Sequence, residues 1–519
     1  MLPPVVKLAD LMANSLKKTP PGGKWVGWLP VFLPILLASG LLLYKLSYIA
    51  GLHRDEAVFG LFAEQILQGE RPIAGFFNAY TAPIHSYIIA ATFALLGESI
   101  GNLRLSGALL NLLTLVLYFD ILRRLWPRIA ISAVWLLATL PSFVIFSRIS
   151  MENCAMNPFF LFGGIWAFVR AQESKTRWLT RTGWFGSGAL LYLGCWNHAI
   201  SVPTVASVGL VYLIFSRPKR KFLFQCAPWF LAGAFIAAVP RICGIVFLHL
   251  PLFPSRPTHT GPLSPLLALL NLIYTLGGNA LFARMTGQVA LSLNWLLPVA
   301  TLAAGVVAFV PKLLPANEAR LARAVVACFV LSTLGSWVIT PGDQIGSRIW
   351  LLPLWFVPAI LAAGLTALPQ AARISCLVVL VTGNLLGVGY NYFHTFQKTG
   401  GAPNLQVYEG GRMDNSADFM DLTALADKLR SVPDVPAILI EDFNENRLWF
   451  LMPEARKRII ACDLTHLEAL HPPPGSLFAI YRSPEWRDIP NGQNLSVATV
   501  QMKYRADLST GNYVVLQIQ

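Results

Sequence analysis

An acidic pair, Asp55 and Glu56, follows a long apolar run at residues 28–49 and opens the stretch HRDEAVFGLFAEQILQGERP. Chains that cross membranes keep charges away from hydrocarbon unless the charges are used, so these two carboxylates need a role. A carboxylate near low-dielectric surroundings holds its proton more tightly, which suits a general base. Arg104, Arg148, Glu152, Asn197, His198, Asp343 and Arg348 also stand at the ends of apolar runs. Acids, arginines and a histidine gathered at one membrane face would fit a polar, anionic substrate. Each has a plainer reading as well. Asp55 can cap the helix that follows it, Glu56 can sit in that helix's first turn, and Glu152 can cap another. Arg104 and Arg348 can snorkel to lipid headgroups, and His198 can be a hairpin-tip histidine. His53, His85, His198 and His259 lack metal-ligand spacing, and no metal or other cofactor is expected.

Composition places these residues in a membrane protein. The 519-residue chain is 55% hydrophobic and 13% charged, with mean hydropathy +0.56, whereas a soluble domain carries about 25% charged residues. The net charge of +14 fits cytoplasmic loops rich in Lys and Arg facing anionic lipid, and no nucleic-acid motif accompanies it. The seven cysteines show no CxxC spacing, which argues against a disulfide framework or a zinc site. Lysines 7, 17, 18 and 24 precede a first apolar run too long for a signal-peptide core, so it reads as a retained span with a cytoplasmic amino terminus.

The fold class expected is therefore a polytopic α-helical membrane protein with a carboxy-terminal extracytoplasmic α/β domain. Segment 1–27 is read as cytoplasmic, 28–392 as the transmembrane domain and 393–519 as the outer domain. The apolar stretch 82–97 is short of the ~20 residues needed to cross, and counting it would put the basic cluster Arg123, Arg124, Arg128 outside. It reads as an interfacial helix within one external loop, 50–101. Spans are then expected at 28–49, 102–122, 129–147, 155–169, 184–196, 200–215, 222–248, 289–310, 322–340, 348–367 and 373–391, with a second interfacial helix at 264–284. Those are about eleven crossings, which leave the carboxy terminus outside. Beyond a linker-like stretch, ADFMDLTALADKLRSV has helical spacing, and PAILIED, RIIACD, GSLFAIYR, LSVATVQMKY and NYVVLQI read as strands.

The order of motifs over residues 50–170 resembles polyprenyl-phosphate-dependent glycosyltransferases of the GT-C membrane fold, in the branch of protein O-mannosyltransferases and lipid A aminoarabinose transferases. The matching elements are Asp55-Glu56, Gly69-Glu70, Ala82-Pro83-Ile84, Leu96-Gly97, Arg104-Leu105, Glu152 in SRISMENC, and SRIWLLP from Ser347 to Pro353. The resemblance is looser to residue 391 and absent beyond it. It implies an inverting enzyme in a bacterial inner membrane, acting at the periplasmic face. The donor would be a lipid-linked sugar, hexosyl or pentosyl, and the acceptor a glycan, lipid or protein. It further implies Asp55 as the acceptor-activating base, Glu56 as the companion that orients the loop, and Glu152 as a second acidic contact. Arg104 and Arg348 are the implied phosphate ligands. Relatives carry a Lys where this chain has Thr81 or Ala82, which moves the phosphate contact toward Arg348, Arg148 or His85, with Tyr80 and His198 as further substrate contacts.

Other functions compete with this one. A ligase or oligosaccharyltransferase would use a pyrophosphate-linked glycan and a divalent metal held by dispersed carboxylates, a set this sequence does not display. A lipid-linked sugar transporter or flippase would place ionisable groups in mid-span and repeat its helices; here the charges gather at one face and no repeat is visible.

Overall fold

The computed structural model describes residues 29–73, 81–216, 220–250, 265–277, 296–339, 350–394, 422–441, 444–463, 466–481, 492–497, 499–510 and 513–519, with three isolated positions besides. The membrane part is helical. It begins with α1 (Leu29–Leu43), α2 (Arg54–Leu67), α3 (Ile84–Leu96) and α4 (Ile100–Leu125). Next come α5 (Pro127–Thr139), α6 (Pro141–Phe146), α7 (Glu152–Ala155), α8 (Asn157–Glu173), α9 (Arg177–Asn197), α10 (Ser201–Ser216) and α11 (Arg220–Phe247). It closes with α12 (Pro265–Leu276), α13 (Leu296–Val307), α14 (Ala316–Ile339), α15 (Leu351–Leu354), α16 (Val357–Leu365) and α17 (Gln370–Leu386), which runs into a π-helical turn, Gly387–His394. Among the described residues five helices are long and apolar enough to cross a bilayer: 100–125, 153–173, 220–247, 316–339 and 370–394. Shorter apolar helices fall in six of the other segments.

Local chemistry explains where helices stop. The first span is expected to reach residue 49, but α1 ends at Leu43 because the carbonyls of Leu41, Leu42 and Tyr44 accept from the Arg148 guanidinium, each at 2.7 Å. The third expected span breaks at Leu140, since Pro141 has no N–H to continue the ladder. Helix α3 has 13 residues, about 20 Å of helix against roughly 30 Å of hydrocarbon. It lies along α2 and α4 and buries His85, Ile89 and Phe93. Gly97, at φ +83°, makes the turn out of α3, and Ser99 then caps α4 by accepting from the Asn102 N–H at 3.1 Å. Helices α9 and α11 approach so closely that a methyl on Gly188 would meet the Phe230 carbonyl oxygen at 1.9 Å, and one on Gly233 the Phe185 oxygen at 1.9 Å.

Residues 422–519 build a separate α/β unit. It contains α18 (Thr423–Arg430), β1 (Ile438–Ile440), α19 (Glu445–Leu451), a 3₁₀ turn (Pro453–Arg458), β2 (Ile459–Ala461), α20 (Leu467–Leu470), β3 (Leu477–Tyr481), β4 (Asn494–Val497), β5 (Val500–Tyr504) and β6 (Tyr513–Ile518). The six-stranded sheet runs β2-β1-β3-β6-β5-β4, parallel from β2 to β3 and antiparallel thereafter. LSVATVQMKY is thus a hairpin rather than one strand. Alternation along the strands gives two cores: Ile438, Ile440, Leu477 and Val515 pack on α18 and α19, while Leu439, Phe478, Leu516 and Met502 face Leu467. This unit rests on the membrane part through Phe450, whose ring fills the space above Gly60 and sits 6.2 Å from Phe93. An ion pair between Arg456 and Glu64 lies beside it.

Candidate active site

The site begins at the amino terminus of α2. His53 is the N-cap: its Nδ1 accepts from the Asp55 N–H at 3.0 Å, and Glu56 Oε2 accepts from the His53 N–H at 3.0 Å. This is a reciprocal capping box with histidine in the place of Ser or Thr. Glu56 does more than cap. Its Oε1 accepts from Arg104 Nε at 2.9 Å and the Ser150 N–H at 2.7 Å, and its Oε2 also accepts from Arg104 Nη2 at 2.7 Å. Both side chains are buried, with 0% and 1% exposed. Burial alone would raise the Glu56 pKa, but the adjacent Arg104 charge and four hydrogen bonds hold it below the ordinary carboxylate range.

Three residues expected at the phosphate are therefore engaged elsewhere. Arg104 gives its five N–H groups to Glu56 twice and to the carbonyls of Leu46, Ala50 and Gly51, leaving no donor for a phosphate. Arg148, 1% exposed, donates to the carbonyls of Leu41, Leu42, Tyr44 and Ile49 and stands over the Phe393 ring. It closes the carboxy end of α1 instead of meeting a substrate. His85 is buried, and that burial pushes its pKa down to about 4, against weaker upward pulls from Ser150 and Glu56. Its Nε2 lies 3.1 Å from Ser150 Oγ, which itself donates to the Leu103 carbonyl at 2.7 Å. His85 accordingly acts as a neutral hydrogen-bonding group near pH 7, not as a cation.

What remains of the expected set is Asp55, Glu152 and the Asn197–His198 tip. Asp55 sits on the first turn of α2 with its side chain 10% exposed, 3.6 Å from Arg54 Nε. The Ser150–Glu56 bond brings residues 150–152 beside it, so α7 starts with Glu152 close to the Asp55 turn. His198, after α9, pairs with Thr81 in a short antiparallel bridge, and the Ala82 N–H donates to Asn197 O at 3.3 Å. That contact brings the α9–α10 tip to the start of α3. Tyr80, Asp343, Arg348 and the Glu152 side chain lie outside the described residues. Among the described residues no three His, Cys, Asp or Glu side chains gather as a metal cluster. Arg241, 9% exposed on α11, escaped the sequence reading; its charge reaches Tyr192 of α9. An arginine inside an apolar helix was its signal.

Among the described residues, a helical bundle with α2 and α3 set between α1 and α4 carries the α/β unit against α2. Residues 80–243 match the family described as dolichyl-phosphate-mannose-protein mannosyltransferase. Over the whole chain the fold is similar to apo ArnT from Cupriavidus metallidurans, with 12% identity, 95% of this chain and 98% of that one covered, and a TM-score of 0.53. ArnT bound to undecaprenyl phosphate aligns at 13% identity over 95% and 97% of the two chains, with a TM-score of 0.45. The S. cerevisiae Pmt1–Pmt2 complex bound to its sugar donor aligns at 22% identity over 47% of this chain and 35% of that one, with a TM-score of 0.35. No curated protein matches the chain in sequence. The comparisons thus join a family-model match over residues 80–243 to a fold similar to that of ArnT.

Proposed function

We propose that this protein is an inverting transferase that moves a sugar from a polyprenyl-phosphate donor to an acceptor hydroxyl at the periplasmic face of a bacterial inner membrane. One observation carries the reading. Of the two adjacent acids, Glu56 is engaged by Arg104 and backbone N–H groups, whereas Asp55, on the same turn of α2, has its side chain 10% exposed beside Arg54 and His53. The phosphate that leaves from a lipid-phosphate sugar is stable as an anion, so acid catalysis adds little. The step that needs help is removal of the acceptor hydroxyl's proton as its oxygen attacks the anomeric carbon, and that role is assigned here to Asp55. Adjacent acids on one turn cannot flank a single anomeric carbon, so Asp55 and Glu56 are not a nucleophile–acid pair, and direct displacement by the acceptor would invert the anomeric centre. Glu152 is the second acidic contact near the acceptor, with Tyr80 and His198 as further substrate contacts. The departing phosphate requires cations, and with Arg104 and Arg148 occupied these are Arg348 and the intramembrane Arg241. The match of residues 80–243 to a family named for a dolichyl-phosphate sugar supports a lipid-phosphate donor.

The test is Asp55→Asn in purified protein, with undecaprenyl-phosphate mannose as the donor probe and a solubilised membrane extract as acceptor. Transfer should fall by roughly 10²- to 10⁴-fold while folding and lipid binding persist. A rate within a few-fold of the unaltered protein would remove Asp55 as the base.

A further inference from the structure

The segment that delivers Asp55 to the site is irregular, and its backbone is held by arginines. Between residues 41 and 52, eight carbonyls accept from three buried guanidiniums. Arg148 takes those of Leu41, Leu42, Tyr44 and Ile49, and Arg104 takes Leu46, Ala50 and Gly51. The last carbonyl, Leu52, accepts from Arg447 Nη1 at 3.2 Å. Arg447 belongs to α19, separated by 395 positions in sequence, and is 0% exposed. Its other terminal nitrogen donates to Asn444 Oδ1 and, at 3.2 Å, to Tyr513 Oη on β6. The guanidinium thus ties the sheet of the α/β unit to the residue just before the α2 N-cap.

We propose that Arg447 is a positioning residue for sugar transfer: through the Leu52 carbonyl it fixes the α2 amino terminus and hence Asp55, so that the α/β unit completes a three-arginine cradle begun in the membrane. This inference rests on Asp55 being the base. The remainder of the interface does a different job. Phe450 on Gly60 and Arg456 on Glu64 dock the unit one to three turns further along α2, and these contacts would hold it in place without setting the first turn. Removing the Arg447 bond should therefore loosen the delivery of Asp55 while leaving the unit docked. Displacement of a reacting group by about 1 Å costs on the order of 10²-fold in rate.

The experiment compares Arg447→Gln, Arg447→Lys and Tyr513→Phe. Tyr513→Phe removes a bond to Arg447 inside the α/β unit but keeps the one to Leu52. Docking is read by carbodiimide cross-linking to Glu64 in an Arg456→Lys background, which keeps the ion pair, and order at the α2 start by amide exchange over residues 50–57. Transfer from undecaprenyl-phosphate mannose is measured for kcat and KM separately. Arg447→Gln is expected to cross-link normally, exchange faster over 50–57, and lose roughly ten- to a hundredfold in kcat with donor KM little changed. Arg447→Lys, which can still reach one carbonyl, should recover part of that loss, and Tyr513→Phe should keep both exchange and kcat. Unaltered exchange and kcat in Arg447→Gln would overturn the proposal. So would equal losses in Tyr513→Phe, or losses that follow failure to cross-link, because either outcome assigns Arg447 to stability alone. Asp55→Asn run in parallel separates the two readings. Near-normal transfer there removes the base itself, whereas an inactive Asp55→Asn beside an unaffected Arg447→Gln removes only the positioning role.

Discussion

Replacing Arg104 by Gln separates a structural arginine from a phosphate ligand. The substitution leaves Glu56 fully buried with its counter-charge gone and takes donors from three carbonyls, those of Leu46, Ala50 and Gly51. Breaking a buried ion pair from one side costs about 3–5 kcal/mol, and each orphaned carbonyl adds about 1–3 kcal/mol where water cannot reach it. Even the smaller figure is a large share of the roughly 5–15 kcal/mol that holds a typical domain folded. Thermal unfolding in detergent, followed by size-exclusion chromatography, should show Arg104→Gln aggregating or melting far below the unaltered protein. The double variant Glu56→Gln/Arg104→Gln should recover part of the loss, since no buried charge then lacks a partner. A ligand for the donor phosphate would behave differently. If Arg104→Gln melts normally and loses only lipid binding, the assignment of Arg104 to the α2 cradle is wrong.

The acidic limb of stability carries two signatures. Glu56 has a folded pKa below its ordinary value of 4.5, so the stability it contributes is complete above about that pH and is lost as pH falls through the folded value; Glu56→Gln should flatten this loss in a melting-temperature profile. His85 also titrates lower when folded, about 4 against 6.5, so the unfolded chain binds the extra proton and stability falls as pH drops through that window. His85→Asn should remove the slope between pH 6.5 and about 4, and an unchanged slope would show that His85 is not held neutral by burial. Gly188→Ala or Gly233→Ala would drive a methyl to 1.9 Å from a carbonyl oxygen. The α9–α11 contact must then open, and a stability loss of about 1–3 kcal/mol is expected in the same melting assay. Variants as stable as the parent would mean the two helices are not so close.

The α2 capping box shows where sequence reasoning reached and where it stopped. A helix starting at Asp55 and Glu56 follows from local chemistry, since dipole and capping act within one turn. The apolar helices follow from composition. The partner of Glu56 is different: Arg104 lies 48 positions away, and nothing local says whether an arginine at a helix start faces water, phosphate or carbonyl oxygens. The same blindness made Arg148 a candidate ligand, because an irregular segment rich in unpaired carbonyls becomes visible only once folded. The α/β unit was legible as strands and a helix, but its sheet order and the reach of Arg447 to Leu52 depend on long-range packing.

Native mass spectrometry of gently purified Asp55→Asn reads the bound donor and the role of Asp55 together. A variant that binds donor but cannot activate acceptor should retain its lipid, with a bound mass equal to polyprenyl phosphate plus one sugar. A polyprenyl pyrophosphate bearing a glycan, or turnover that empties the variant as readily as the unaltered protein, would contradict it.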